Sequence, residues 1–514
     1  MKKILLLCFL FIVCGKVRAQ TPDWSTSIAP LFYSNCTPCH HPGGIGHFSL
    51  LTYNYAILYA NTIRDVVEFR KMPPWPANPD YRHFKDEAIL DSLEIVAILD
   101  WIDNGLPLGD TTLAPNPPSY PIGGSLLDSI HHTIQISPYT LSSNNDEYRY
   151  FAFHSGFLDT VYVNQIEVIP GLPHLVHHAD IHFDLSGTAF YNDSITPVSG
   201  FSSGLISNYY MNAWQPGGGI ASYPNNWGIK VPPGADFVFE IHYGPGGVGQ
   251  IDTTKMNLRF ITNPQNVRKI NVAWLLNNPI PSQGPLIIPP NVITTFDQES
   301  SPMSGDKSLI AICPHMHYLG ASYKVWFVTL TGDSIPLIDI PDWDFHWQKY
   351  YTFQYIQKIP AGARLKAIAS FDNTINNPYN PNNPPITEMN GPTTTDEMLM
   401  TYFIYANYQA GDENILLDSS LLATYLNDEN VRDDSPFTLY PNPAVDVIHL
   451  QSKSIDLRNS KIIIRNNLGQ NVYQDAQLSN ESFESISIQT LPVGIYLLEL
   501  QENNKSSTKR FIKY

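Results

Sequence analysis

The chain is 514 residues long, room for roughly three to four domains of ordinary size. Charged residues make up 15% and aromatics 12%, with 42 Pro and 31 Gly, a balance that excludes a mainly disordered chain and fits many short strands joined by turns. The formal net charge of −17 argues against a nucleic-acid partner. At the start, Lys2 and Lys3 precede the apolar run Ile4 to Val13, and Val17-Arg18-Ala19 precedes Gln20. A charged start, a short apolar stretch and a small residue at a cleavage point read as a secretory signal over residues 1–19. Its removal takes Cys8 and Cys14 with it and leaves Cys36, Cys39 and Cys313, too few for a disulfide framework.

Residues 20–110 read as mainly helical. Ile89, Leu90, Leu93, Val96, Ile98, Leu99 and Ile102 fall near helical spacing, and Gly105 and Pro107 end the pattern. Within this region Cys36-Thr37-Pro38-Cys39-His40 carries two thiols two residues apart, each able to add to one porphyrin vinyl group, with the next histidine placed to ligate the iron. A redox or zinc Cys-x-x-Cys does not account for His40, and zinc would need further ligands nearby. Met72, in Arg70-Lys71-Met72-Pro73-Pro74-Trp75, is the expected second axial ligand, since a thioether suits ferrous iron; His41, His47 and His83 are its rivals. The run Cys36 to Thr52, the Met72 to Trp75 loop and the closing helix Glu94 to Gly105 resemble a class I-type cytochrome c domain. That resemblance implies a covalently attached haem c held by Cys36, Cys39, His40 and Met72.

The Pro-rich stretch 111–125 reads as a stiff linker. Residues from about 126 to 430 read as β, with runs at Phe157 to Ile169, Phe237 to Tyr243, Ile270 to Leu276, Lys324 to Leu330 and Leu399 to Tyr405. The length is large for one sandwich, so two are expected, over residues 126–280 and 281–430. Seven of the 16 histidines lie in three short segments here, around His174 to His182, at His242, and at His315 and His317. Imidazole clusters favour copper or zinc. His315 and His317 are two apart and face the same way on a strand. His177 and His178 are adjacent, so an ideal strand would point them apart, and the pattern alone prefers His178 with His182. The pieces Val176-His177-His178, Ile241-His242-Tyr243-Gly244, His315-Met316-His317-Tyr318-Leu319-Gly320 and Thr395-Asp396-Glu397-Met398 resemble the copper type II, ascorbate-dependent monooxygenases (the group of peptidylglycine α-hydroxylating and dopamine β-monooxygenase). The resemblance implies two jelly-roll-like sandwiches, with His177, His178 and His242 on an electron-transfer copper and His315, His317 and Met398 on an oxygen-activating copper. Met400 is a rival for Met398. His174 and His182 are expected to pack, cap or support ligands, and His154, His346 and His449 to be structural. The animal enzymes carry several disulfides, whereas this region has Cys313 alone.

The last segment changes character. Lys461 to Arg465, Ile495 to Leu500 and Lys509 to Tyr514 read as strands of a small, Ig-like sandwich. Leu439-Tyr440-Pro441-Asn442-Pro443, Asn467-Leu468-Gly469-Gln470 and Leu491-Pro492-Val493-Gly494-Ile495-Tyr496 resemble the type A C-terminal sorting domain of the type IX secretion system, over residues 438–514. This implies passage through the periplasm and across the outer membrane with that machinery as partner, then release or attachment at the surface.

The fold expected is therefore mainly β and multidomain: a small α-helical cytochrome c domain, two jelly-roll-like β-sandwiches and a C-terminal sandwich. The function expected is an exported copper monooxygenase using dioxygen on a C–H bond of an organic substrate, with two coppers, one haem c and an external reductant such as ascorbate. Electrons are expected to pass from the haem to the three-histidine copper. The alternative is a surface electron-transfer or copper-holding haem protein without hydroxylase activity; a third reading is a glycan- or peptide-binding module. Substrate and physiological reductant are not legible in the sequence.

Overall fold

The computed structural model describes residues 21–120, 125–202, 209–274, 284–391, 393–417, 437–440, 444, 446–452, 457–466, 471–475, 482–492, 494–502 and 505–513. The signal segment 1–19, the expected sandwich boundary at 280/281 and the tail motif residues 441–443, 467–470 and 493 lie outside them. The chain forms two compact units, residues 1–420 and 421–514. No helix among the described residues is long and apolar enough to cross a membrane.

The helical region holds Ala29–Asn35, Tyr53–Leu58, Ala60–Glu68 and Ser92–Asp103. The last begins in a capping box: Asp91 accepts from the amides of Leu93 and Glu94, and Glu94 returns a bond to the Asp91 amide. Its extent agrees with the periodicity, but its buried face does not. Leu93 and Val96 are 78% and 50% exposed, while Ile98 and Trp101 are fully buried. Trp101 decides the face: its ring meets Trp24 and Phe32 at 6.0 and 6.2 Å, and an aromatic core outweighs two aliphatic positions in buried area. The linker is also less free than its composition implies. Tyr120 stacks on His41 at 4.1 Å and its hydroxyl lies 2.8 Å from Thr37 Oγ1, pinning the chain onto the Cys36–His40 motif.

Eight strands position the remaining candidates: β1 (Glu147–His154), β2 (Val176–Asp184), β3 (Tyr209–Trp214), β4 (Asp236–Tyr243), β5 (Arg268–Trp274), β6 (Lys307–His315), β7 (Tyr351–Ile359) and β8 (Met400–Asn407). One sheet has the order β1-β4-β2-β3, all antiparallel. Its inner face supplies Ala179, Ile181, Phe183, Phe237, Phe239 and Ile241 to the core; alternation then turns His178, Asp180 and His182 to the other face. A second, nine-stranded sheet runs through β5, β8, β6 and β7. The two halves are therefore not separate sandwiches: β5 pairs with β8, Ala273 opposite Phe403, and one apolar cluster takes Ile229 and Phe239 from the first half and Ile310 and Ile404 from the second. A further four-stranded sheet, Ile293–Glu299, Arg364–Asp372, Gly320–Val328 and Ser334–Ile340, closes the second half over its own core.

The helical region leans on that second half. The Lys85 amide donates to Thr352 O and the Asn78 amide to Asp339 O, both at 2.7 Å, while Phe84 packs on Tyr351 and Phe353. The tail unit is a two-sheet sandwich of three and four strands among the described residues, around Phe437, Ile448, Leu450, Ile462, Ile464, Leu498 and Phe511.

Candidate metal and haem sites

The helix Ala29–Asn35 runs into Cys36, whose amide bonds Phe32 O, and the turn continues with the Cys39 and His40 amides on Cys36 O. Cys36 and Cys39 are both free thiols. Burial, followed by Cys39 and Glu94, pushes the Cys36 thiol up to about 12, the opposite of the lowered value that a redox-active pair needs. His40 Nδ1 lies 3.1 Å from the Phe48 carbonyl. A carbonyl only accepts, so Nδ1 carries the proton and Nε2 keeps its lone pair for a metal. Gly46 makes the ring's position possible: a Cβ there would sit 2.5 Å from His40 Nδ1. Two free thiols and a histidine of fixed tautomer fit a covalent haem.

Met72 closes the turn after Ala60–Glu68, its amide on Val66 O, and is 37% exposed. Two of its rivals are engaged elsewhere, His41 by stacking on Tyr120 and His83 by Glu87 at 3.1 Å; His47 is exposed.

His177, His178 and His242 come together, their ligand nitrogens all within 4.8 Å of one another. Alternation alone forbids this for adjacent residues. A register shift between Val176 and His178 in the β2–β4 pairing inserts the bulge that aims both rings to one side, and His178 pairs directly with His242. His242 Nε2 lies 2.8 Å from Asp146 Oδ1; the carboxylate accepts, leaving Nδ1 as the free nitrogen. That hydrogen bond also holds the Asp146 carboxyl below its usual range. Tyr148 stacks on the His242 ring at 4.1 Å. Burial and then the neighbouring imidazoles hold His177 down at about 3 and His178 well below its usual value, so both rings are neutral. His177 Nδ1 and Nε2, His178 Nδ1 and His242 Nδ1 are buried without a hydrogen-bond partner. Each such atom costs about 1–3 kcal/mol unless something pairs with it.

His315 and His317 form the second set. His315 Nδ1 lies 2.6 Å from Gln348 Oε1, and the Gln348 amide is oriented by its own bond to Phe345 O. His317 Nδ1 lies 3.0 Å from Asp396 O. Both Nδ1 atoms face acceptors and hold the protons, so both Nε2 atoms carry lone pairs, and these two Nε2 atoms are 3.2 Å apart. Two lone pairs at that distance repel unless a proton or a cation lies between them. Burial and then His317 hold His315 down at about 3, which removes the proton. Glu397, fully buried, clamps the turn by accepting from the amides of His317 and Leu319, and burial pushes its carboxyl up to about 8. Met400 is the direct partner of His315 across β6 and β8, and its sulfur accepts from Tyr402 Oη at 3.8 Å. Met398 is half-buried and directly follows the Asp396–Glu397 pair that holds His317.

The sets are close neighbours. Phe345 stacks on His177 at 5.0 Å and meets His317 edge-on at 6.1 Å. Lys349, one residue past Gln348, reaches over Trp75 at 4.5 Å and draws down the Cys39 thiol against the larger effect of burial. Asp146, Gln348 and Phe345 were not singled out in the sequence, and no local pattern marks them; Asp396 and Glu397 stand in the Thr395-to-Met398 run, where only Met398 was given a role. Of the other histidines, His174 is exposed rather than packed, while His154 pairs with Asp236, His346 with Asp344 and His449 with Ser485. A pocket of about 340 Å³ opens between Ser300 and Tyr405. It touches β6 at Leu309, six residues and roughly 20 Å of strand from His315, so it does not adjoin the histidines.

Residues 438–514 match the family model of the secretion system C-terminal sorting domain. They are a type IX sorting domain, and the protein is exported across the outer membrane, to be secreted or attached at the cell surface. No curated protein matches the chain. Among solved structures, an immunoglobulin-like β-sandwich protein of the DUF3244 family from Bacteroides vulgatus is 26% identical, covering 16% of this chain and 88% of its own, with a TM-score of 0.14. PNGase F, a glycosylasparaginase from Flavobacterium meningosepticum, is 8% identical, covering 54% of this chain and 97% of its own, with a TM-score of 0.24. Scores this low carry no functional argument.

Proposed function

We propose that this exported protein is a copper monooxygenase, hydroxylating a C–H bond of an organic substrate with dioxygen, with electrons entering through a covalent haem c. The observation that carries the reading is the pair of lone-pair nitrogens on His315 and His317, 3.2 Å apart, with both opposite nitrogens committed to acceptors. A neutral imidazole pair so arranged is built for a metal ion. The ligand chemistry of the two sets differs. The first is nitrogen alone; for the second the resemblance implies Met398 as a third ligand, and sulfur favours the cuprous state that meets dioxygen. Held there, copper would supply one-electron redox chemistry and oxygen activation, and haem held by Cys36, Cys39, His40 and Met72 would supply single electrons.

The chain's own part is positional. Asp146, Gln348 and the Asp396 carbonyl fix the ring tautomers; Glu397 holds the His317 turn; Phe345 and Tyr148 wall the rings from water. The overall balance is substrate, dioxygen, two electrons and two protons giving hydroxylated product and water, so an external reductant of the ascorbate class or another donor completes it. The helical region favours a different entry from the three-histidine set expected from the sequence: Trp75 lies against the Lys349 ammonium, and Lys349 directly follows Gln348, which orients His315.

The test is oxygen uptake by copper-loaded holoprotein over a library of peptides and small phenols, amines and acids, with copper counted per chain. The His315→Ala variant is expected to lose one of two coppers and all substrate-dependent uptake. Two coppers with no substrate-dependent uptake would instead indicate a copper-holding electron carrier.

A further inference from the structure

On the same face of the β1-β4-β2-β3 sheet, one step along from the three histidines, lies a second group of ligand type: Asp180, His182 and Glu240, whose ligand atoms are all within 4.8 Å of one another. The spacing follows from the strands. Asp180 is the direct partner of Glu240, as His178 is of His242, and His182 follows Asp180 by two residues on β2. Two carboxylates directly opposite each other on paired strands repel. Here they do so half-buried, near the seam where Tyr210 of β3 stacks on Tyr402 of β8 at 5.5 Å. Their partners do not neutralise them. Glu240 Oε1 accepts from the Tyr150 hydroxyl at 2.9 Å; the Tyr210 hydroxyl is 3.4 Å from Asp180 Oδ1; and His178 Nδ1 stands off Asp180 at 3.7 Å. His182 is the independent sign of a ligand. Its side chain is 7% exposed, neither ring nitrogen has a hydrogen-bond partner, and Nε2 points at Glu240 Oε2 from 3.4 Å.

We propose that Asp180, His182 and Glu240 form a third metal site, for a divalent cation of borderline softness, zinc. Two carboxylates and a divalent ion cancel in charge, and a partly buried set of two oxygens and one nitrogen suits zinc, whereas copper is better served by the all-nitrogen set next door. Three protein ligands leave a fourth position for water. The ion is structural: it joins β2 to β4 beneath the histidines and has no redox chemistry of its own.

The experiment uses the full chain, stripped with chelator, reloaded with copper and then titrated with zinc chloride, both metals being counted after gel filtration. One zinc per chain is expected beside undiminished copper. His182→Ala is expected to lose that zinc, at least 100-fold in affinity, and to keep its copper, because His177, His178 and His242 are untouched. Zinc retained equally by His182→Ala, or no zinc retained by the parent, overturns the proposal. Should His182→Ala fail to fold, anomalous diffraction at the zinc edge from zinc-soaked crystals of the unsubstituted chain decides: a peak among the three side chains supports the site and its absence refutes it. The copper reading does not depend on either result.

Discussion

A buried imidazole must satisfy two nitrogens, and five histidines here spend one nitrogen on an oxygen acceptor or on nothing and turn another inward. His242 is the clearest, donating Nε2–H to Asp146 and leaving Nδ1 bare. Asp146→Asn keeps the shape but turns an anionic acceptor into an amide, so the ring loses both its fixed tautomer and added basicity. Metal affinity at the three-histidine set is expected to fall about 10–100-fold, read by competitive copper titration against a chromophoric chelator, with the His315 set unaffected. At this scale the sequence was informative where chemistry is packed into adjacent letters. The Cys36, Cys39 and His40 motif and the His315/His317 pair stood out from spacing alone; the His177/His178 doublet came only from the resemblance, since alternation preferred His178 with His182. The route by which His177 and His178 share a direction was not, because it depends on a bulge set by the partner strand, and neither was Gln348, which reaches its histidine across 33 positions of chain.

At the scale of elements, the seam between the two halves has its own lock. Arg268 on β5 donates to both carboxylate oxygens of Asp412 at 2.9 and 2.7 Å and lies over the Trp227 ring at 4.2 Å, while Ser308 on β6 donates to the same carboxylate. Burial works against ionisation of Asp412, but the bonds from Arg268, Ser308 and the Gln409 amide outweigh it and hold the carboxyl below its usual range. A depressed carboxyl contributes stability that is full above the ordinary carboxylate range and is lost as pH falls through its folded value. Asp412→Ala leaves the half-buried Arg268 guanidinium without its carboxylate, with Gln409 Oε1 and Asn407 O still accepting from it, and is expected to cost about 1–3 kcal/mol at pH 7. Urea melts at pH 7 and pH 3 measure it, the difference from the parent shrinking in acid. The strand positions of this region were legible from alternation and turns. The joining of β5 to β8 was not, since strand order depends on non-local pairing. Nor was the face of the helix Ser92–Asp103, apolar on several sides, where the aromatic neighbour Trp24 rather than periodicity chose Ile98 and Trp101 for burial.

At the scale of the molecule, the tail is a sandwich with its own core, and removal of residues 438–514 is expected to leave the rest folded but held back in the periplasm, as fractionation of cells followed by immunoblotting would report. The first compact unit, residues 1–420, is tied together by a short run near the middle of the second half. Phe345 backs His177, Gln348 orients His315, and Lys349 stands beside Trp75 and Cys39. Five consecutive positions thus serve as a ruler between three places far apart in sequence, with spacing fixed by covalent bonds rather than by docking. The amino-terminal helices are accordingly no bead on a string. Excising them would bare Tyr351 and Phe353 and strip the backstop from the loop that keeps the ring at 315 in line, so trimming this protein to its β portion would blunt the very centre that the trimming was meant to isolate.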